Sequence, residues 1–194
     1  MSEPARRLDV RVGSSTDALT PVSHATRSFA ATRGQWLSLT AVALTAIVAD
    51  QLTKWIVASN LEYGGGVHIL GPFWIRHVQN SGIAFGLFSS ATAGVTVITS
   101  VAVIWMVWFF ARSGGRHPVL PAALGLLIGG SLSNLVDRIR LGHVTDFIDF
   151  RYWPAFNLAD SFICIGVIML LLALFAADRA PKPPGRRPLD VAAR

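Results

Sequence analysis

Residues 119–136 read VLPAALGLLIGGSLSNLV and contain no charged side chain. An α-helix rises about 1.5 Å per residue, so a helix of this length nearly crosses the ~30 Å hydrocarbon core of a bilayer. Three more stretches are similarly long and apolar, at residues 36–58, 93–111 and 161–177. The sequence therefore predicts an all-α membrane protein with four transmembrane helices.

The composition of the whole chain agrees with a membrane protein. Of its 194 residues, 52% are hydrophobic and 14% are charged, whereas soluble domains carry about 25% charged residues. These values exclude a soluble enzyme and a disordered chain. The single cysteine, Cys164, lies within the fourth apolar stretch. It excludes a disulfide scaffold, and we expect it to be a small packing residue.

Basic residues are concentrated in three segments, and this predicts the topology. The net charge is +6, and most Lys and Arg lie before the first apolar stretch, between the second and third, and after the fourth. Basic segments favour the cytoplasmic side, so both termini are predicted to be cytoplasmic and no nucleic-acid partner is expected. The predicted organisation is a flexible cytoplasmic tail at 1–35, a four-helix core at 36–177 with outer loops at about 59–92 and 138–159, and a cytoplasmic tail at 178–194.

The two outer loops carry different local signals. In the first loop, glycines at 64–66 and the Gly-Pro pair at 71–72 are turn signals. The second loop is rich in aromatic residues at 147–153, which favour the membrane–water boundary. We predict a small β-strand and loop cap on the outer face. The apolar residues of the first loop that are typical of strands are Val67, Ile69, Phe73, Ile75 and Val78.

Most acidic residues near the predicted membrane lie at its outer boundary. Asp50, Asp137 and Asp160 fall at the outer ends of predicted helices, and Asp146 and Asp149 fall in the second outer loop. Two carboxyl groups within hydrogen-bond reach share one proton, so that one acts as a base toward water and the other as an acid toward a carbonyl. Such a pair can hydrolyse an amide without a nucleophilic side chain or a metal.

Structural roles are also open for the same acids, and the residue pattern alone does not decide between these roles and catalysis. Asp160 can cap the helix that it begins, and Asp137 can pair with Arg138. Asp50 can pair with Lys54, one helical turn away. The histidines of the outer loops do not have the spacing of metal ligands, so no metal site is predicted.

Two non-enzymatic functions are also open at this point. A small proton-coupled carrier could use Asp50, Lys54, Asp137 and Asp160 as a relay. It requires a polar path across the bilayer, yet the second to fourth apolar stretches contain no charge. A scaffold subunit with structural acids predicts that substituting these acids changes no activity.

Four motifs occur in a fixed order relative to the predicted helices. They are DQLTK at 50–54, NSGIAFG at 80–86, SNLVDR at 133–138 continuing to GHVTDF at 142–147, and FNLADS at 156–161. In sequence and order they resemble the lipoprotein signal peptidases, the type II signal peptidases of bacteria. The resemblance covers residues 36–177 and leaves out both predicted tails.

The resemblance implies an aspartyl endopeptidase of the bacterial cytoplasmic (inner) membrane, with its active site at the outer face. Such enzymes remove the signal peptide from prolipoproteins, cutting just before a cysteine that carries a diacylglyceryl group. The resemblance assigns the catalytic pair to Asp146 and Asp160, whereas the residues alone do not distinguish Asp146 from Asp137 or Asp149. It implies no cofactor. The expected partners are prolipoprotein substrates and membrane lipid, and we expect a monomer.

Further polar residues take their expected roles from the same resemblance. Asp50, Lys54 and Asp137 are expected to support the site from within the bundle. Ser133 stands where the family often has glycine, and its small side chain still permits close helix approach. The side chains expected to line the site and hold the substrate backbone are Asn80, Asn134, Arg138 and Asn157.

Overall fold

Four helices and a four-stranded sheet form the described part of the chain. The computed structural model describes residues 30–82 and 92–178. All four helices are long and apolar enough to cross a membrane, which confirms the predicted fold class. The helices are α1 (Arg33–Asn60), α2 (Thr92–Ser113), α3 (Leu120–Leu141) and α4 (Leu158–Asp178), with a 3₁₀ turn at Gly114–Arg116. The strands are β1 (Gly66–Leu70), β2 (Phe73–Asn80), β3 (Val144–Phe150) and β4 (Trp153–Phe156).

Helix α3 is the centre of the bundle. It packs against α1 and α4 along much of its length, and α2 also packs against it. Most of its side chains are buried, whereas the other helices expose many large apolar side chains. Helices that are apolar on their outward faces are expected in lipid. The buried apolar cluster includes Leu39 of α1, Phe110 of α2 and Leu124 of α3.

Adjacent glycines of α3 allow two other helices to approach closely. A β-carbon at Gly129 would lie 2.7 Å from the backbone oxygen of Ala43 in α1. A β-carbon at Gly130 would lie 2.5 Å from the backbone oxygen of Ala159 in α4. Small residues at helix interfaces are typical of membrane bundles. The second contact brings the start of α4, and with it Asp160, against α3.

The helices on either side of the second outer loop are longer than predicted. Helix α3 continues to Leu141 and stops at Gly142, whose φ of 77° is left-handed and whose N–H donates to the Arg138 oxygen. Arg138 therefore lies on α3 and not in the loop. Helix α4 begins at Leu158, before the predicted start at 161, because Asn157 caps it.

The outer loops form one antiparallel sheet with the strand order β1-β2-β3-β4. The strands predicted in the first loop are confirmed as β1 and β2, and Gly71 between them has a φ of 53°. The second loop, predicted only as an aromatic boundary loop, also forms two strands. Across β2 and β3, Val78 lies opposite Asp146 and Asn80 lies opposite Val144. This register brings the start of the motif at 80–86 beside Asp146.

Some predicted features fall outside the described residues. These are the N-terminal tail up to residue 29, the C-terminal tail from residue 179, and residues 83–86 of the second motif. What was predicted for them stays a prediction.

The close contact at Gly130 predicts a marked effect of a single methyl group. Gly130→Ala forces α3 and α4 apart, and we expect a loss of roughly 1–3 kcal/mol in the free energy of unfolding, as at other overpacked sites. Gly94→Ala is the matched control, because a β-carbon at Gly94 meets nothing within 4 Å. Thermal unfolding in detergent should show a lower melting temperature for the first variant only. Equal melting temperatures for Gly130→Ala and the wild type would contradict this packing.

Candidate active site

Asp160 lies in the first turn of α4 and helps to cap that helix. Its N–H donates to Asn157 Oδ1 at 3.0 Å, and its Oδ2 accepts from the Asn157 N–H at 3.2 Å. This reciprocal arrangement is a capping box, with Asn at the cap and Asp three residues later. The Asp160 carboxyl group therefore lies at the positive end of the α4 dipole.

Asp146 lies on β3 and is only 2% exposed. Its Oδ1 accepts from Asn157 Nδ2 at 2.7 Å, and its Oδ2 accepts from Asn80 Nδ2 at 2.9 Å. Asn80 is itself oriented by the Gly82 N–H, which donates to Asn80 Oδ1 at 3.1 Å. Asn157 thus binds Asp146 through its amide nitrogen while it exchanges capping hydrogen bonds with Asp160. One residue holds both carboxyl groups of the predicted pair.

Burial changes the acidity of Asp146. Its removal from water raises the pKa of Asp146 from 3.8 to about 6, and the negative charge of Asp160 adds to this rise. The hydrogen bonds from Asn80 and Asn157 and the charge of Lys54 act on this pKa in the opposite direction. Asp146 therefore keeps its proton at pH values where an ordinary aspartate is ionised. Acid–base catalysis requires a group that gains and loses a proton near the working pH.

Next to the pair, Lys54 lies between two other carboxylates. Its Nζ is 2.6 Å from Asp50 Oδ2 and 2.8 Å from Asp137 Oδ2. It also donates to Asn134 Oδ1 at 2.8 Å, and Asn134 Nδ2 donates to Asp160 Oδ1 at 2.8 Å. Asp50, Lys54 and Asp137 form a buried charge cluster inside the bundle.

Two polar side chains for which no hydrogen-bonding role was predicted complete the charge cluster. Gln51 Nε2 donates to Asp137 Oδ1 at 2.7 Å and to Ser133 Oγ at 3.0 Å. Ser133 Oγ donates to Asp50 Oδ2 at 2.7 Å. Ser133 is therefore a hydrogen-bonding partner as well as a small residue at a helix contact. The sequence did carry one indication of this role, because Gln51 and Ser133 lie within the motifs that contain Asp50 and Asp137.

Arg138 reaches from α3 toward the end of β2. Its Nη2 donates to the Gly82 oxygen at 3.3 Å, and its Nη1 donates to the Asn134 oxygen at 3.4 Å. Its Nε is buried and has no hydrogen-bond partner among the described residues. The Nε–H is thus a donor that residues 30–82 and 92–178 do not use.

Asp149, the other acid of β3, lies away from the pair. It forms an ion pair with Arg76 at 3.1 Å, in which the Arg76 side chain is 46% exposed. Its neighbour across the sheet is Trp74. Of the acids in and beside the second outer loop, the structure therefore brings Asp146 to Asp160 through Asn157, while Asp149 remains in a surface pair.

Two cavities adjoin the pair. The larger has a volume of about 640 Å³ and is lined by Asp160, Arg138 and mostly apolar residues of β4 and α4. The smaller has a volume of about 230 Å³ and is lined by Asp146 and by residues of β2 and β4. Asn80 lines both cavities. Cys164, predicted to be a packing residue, is instead exposed and lines the larger cavity.

This arrangement supplies the groups needed for proton transfer at a peptide bond. It combines two carboxyl groups held by one asparagine, an arginine that donates hydrogen bonds, and two adjoining cavities. Among the residues that the structure describes, no three His, Cys, Asp or Glu side chains are grouped to hold a metal ion.

The core of the chain matches a known family. The model for signal peptidase (SPase) II matches residues 42–176. The chain belongs to the signal peptidase II family. As a member of this family it is a multi-pass membrane protease that removes signal peptides from prolipoproteins. Family membership favours a protease over the carrier and the scaffold.

The relatives of this signal peptidase II align with most of its chain. The lipoprotein signal peptidase of Symbiobacterium thermophilum is 36% identical over 143 residues, which cover 71% of this chain and 94% of that protein. The lipoprotein signal peptidase of Dehalococcoides mccartyi is 41% identical over 140 residues, covering 69% and 86%. A solved structure described as a bacterial membrane enzyme, obtained by the in meso method, matches with a TM-score of 0.71 at 30% identity and covers 77% of this chain and 94% of that one. The resemblance stated from the motifs is confirmed.

The raised pKa of Asp146 predicts how stability depends on pH. A carboxyl group whose folded pKa of about 6 exceeds its ordinary 3.8 contributes stability below pH 4 that is lost as pH rises through 6. Asp146→Asn cannot ionise, so the wild type should lose up to ~3 kcal/mol relative to this variant between pH 4 and pH 7.5. The measurement is the melting temperature of both proteins in detergent at these two pH values.

Asp149→Asn is the control for this measurement, because it removes a carboxylate from the surface of the same strand. A melting-temperature difference between Asp146→Asn and the wild type that stays constant with pH would contradict the effect of burial on Asp146.

Proposed function

We propose that this membrane protease is an aspartyl endopeptidase in which Asp146 and Asp160 activate the attacking water. It cuts prolipoproteins just before the cysteine that carries the diacylglyceryl group. The observation that supports this most directly is the position of Asn157, which donates to Asp146 Oδ1 and caps α4 together with Asp160. A common partner keeps the carboxyl groups of β3 and α4 directed toward one site.

The pair works with one proton between its two carboxyl groups. The carboxylate removes a proton from water as the water oxygen attacks the scissile carbonyl carbon, and the protonated partner donates to the carbonyl oxygen. The resulting diol collapses as the C–N bond breaks, the cysteine nitrogen takes a proton from the pair, and one diol proton returns to the pair. Coupled carboxyl groups titrate as a unit, so the base and acid roles belong to the pair.

Arg138 and Asn80 hold the substrate backbone beside the pair. Both line the larger cavity. Each Nη atom of Arg138 makes one hydrogen bond within the protein and has a second N–H for a peptide carbonyl. The resemblance implied the same role for Asn134 and Asn157. Asn134 and Asn157, however, line neither cavity, and their amide nitrogens donate to Asp160 Oδ1 and Asp146 Oδ1. This supports a role in orienting the carboxyl groups.

The larger cavity receives the lipid-bearing end of the substrate. Its mostly apolar lining extends along α4 from Asp160 to Ile165, which is 47% exposed on the helix surface. Acyl chains can approach from that surface while they remain in the bilayer, where each buried CH₂ contributes about 0.8 kcal/mol to anchoring. The bilayer then holds the acyl chains, and the protein needs only to position the peptide.

The membrane orientation follows from the distribution of basic residues. The protein lies in the cytoplasmic (inner) membrane with both termini in the cytoplasm and the Asp pair at the outer face, in agreement with the positive-inside rule. It acts as a monomer, and the described residues of one chain supply both carboxyl groups and both cavities.

Cleavage of a diacylglyceryl-modified prolipoprotein by the purified protein tests the proposed function. Asp146→Asn and Asp160→Asn should each lower kcat/KM by at least about 10³-fold, as loss of one member of a catalytic unit does elsewhere. Asp149→Asn, on the same strand but in a surface pair, should keep wild-type activity. Mass spectrometry of the products identifies the cleaved bond.

Two results would overturn the proposal. One is full activity in folded Asp146→Asn or Asp160→Asn, which would remove the assigned residue from the reaction. The other is a product with residues of the signal peptide left before the cysteine, which would move the cleavage site. A substrate without its acyl chains should be cut far more slowly, and equal rates would argue against a lipid-binding role of the larger cavity.

A further inference from the structure

Lys54 is a buried cation that takes no part in the proposed reaction. The residue is 4% exposed, and its Nζ contacts Asp50 Oδ2, Asp137 Oδ2 and Asn134 Oδ1 at 2.6, 2.8 and 2.8 Å. An ammonium group has three donors and no acceptor. Each of the three N–H donors thus has its own acceptor, and one of these acceptors is the oxygen of an uncharged amide.

The contact with Asn134 restricts how that amide can be oriented. Because an ammonium only donates, Asn134 must present Oδ1 to Lys54, and its Nδ2 then points to the other side. There it donates to Asp160 Oδ1 at 2.8 Å. A rotation of the amide by 180° would place an oxygen against the Asp160 carboxyl oxygen and a nitrogen against the ammonium. Hydrogen bonds with an ionised donor are the stronger ones, so Lys54 opposes this rotation.

We propose that Lys54 is a positioning residue for the Asp pair, acting through the amide of Asn134 on Asp160. This inference rests on the proposed function. Lys54 does not line either cavity beside the pair, and its hydrogen bonds lead to the Asp160 carboxyl group through Asn134, which it orients. Asn157 Nδ2 also donates to Asn134 Oδ1, at the longer distance of 3.1 Å, and so supports the same orientation without a charge.

Lys54 has a second connection to the start of α4, which the test has to separate from the first. Asp50, its counter-ion, accepts from the Ala159 N–H at 2.8 Å through Oδ1. This bond holds the residue directly before Asp160. Substituting Lys54 can therefore lower activity in two ways, by releasing Asn134 or by disturbing Asp50. Only the first pathway disappears when the Asn134 amide is removed.

A double-mutant cycle on kcat/KM for diacylglyceryl-modified prolipoprotein tests the proposal. Lys54→Met should lower kcat/KM by roughly 10- to 100-fold in the wild type, the range expected for a lost hydrogen bond to a charged group. In the Asn134→Ala background the same substitution should lower it by less than about 3-fold, because the two residues act in one chain. Equal losses in both backgrounds would overturn the proposal.

The pH profile of kcat/KM is the second readout. The charges around Lys54 are Asp50 on its own helix, Asp137 and Arg138 on α3, Asp146 on β3 and Asp160 on α4. Removing one positive charge from this group favours the protonated form of nearby carboxyl groups. The profile of Lys54→Met should therefore shift to higher pH, and an unshifted profile would contradict a role at the pair.

Three further variants keep the test decisive. Leu39→Ala also loosens the core near the contact of α1 and α3, and it should lower the melting temperature while leaving the pH profile unchanged. If Lys54→Met does not fold, Asp50→Asn combined with Lys54→Met replaces it in the cycle, with Asp50→Asn alone as its reference. The Asn keeps an oxygen for the Ala159 N–H.

Failure of this inference is distinguishable from failure of the proposed function. If only the inference fails, Asp146→Asn and Asp160→Asn remain inactive while the cycle is additive. If the Asp pair itself is wrong, those two variants remain active whatever the cycle shows.

Discussion

The buried charge cluster around Lys54 is the constraint on which the bundle depends. Charges held away from water destabilise a fold unless all of them are paired, and removing one partner costs roughly 3–5 kcal/mol. Helix α1 supplies Asp50 and Lys54, and α3 supplies Asp137. The N–H groups of Ala159 and Thr145 donate to the two carboxylates. The cluster therefore fixes the starts of α4 and β3 relative to α1 and α3. Helix α4 and strand β3 are the two elements that carry the Asp pair.

The four acids around the site fall into two classes by their partners. Asp50 and Asp137 contact the ammonium directly and serve as its counter-ions. Asp146 and Asp160 accept from asparagine amides and backbone N–H groups. Neutral donors bring no positive charge to the carboxyl groups, so they orient the pair without the strong preference for the ionised form that a neighbouring cation imposes. Asn134 joins the two classes, because it accepts from the ammonium and donates to the pair.

Hydropathy was sufficient to predict the four helices, because a long apolar stretch has few other stable structures in lipid. Strands β3 and β4 were missed because acidic and aromatic residues interrupt the alternation in that loop. If β3 had been recognised, the odd spacing of Asp146 and Asp149 would have placed them on opposite faces, in agreement with the surface pair of Asp149 and Arg76. Gln51 and Ser133 could not be assigned partners, because a sequence does not give the rotation of each helix about its axis.

The start of α4 has to be accessible both to water and to the hydrocarbon of the bilayer. In the proposed orientation, Asp160 lies in its first turn, at the outer boundary where water is available. Cys164 lines the same cavity one turn further into the apolar part of the helix. A peptide bond beside a lipidated cysteine has the same dual character, because a polar amide is joined to apolar chains. A pair placed deeper in the bundle would lack water, and a pair on the sheet surface, where Asp149 lies, would be separated from the acyl chains. Asn157 holds the pair between these positions, since it caps α4 and donates to β3.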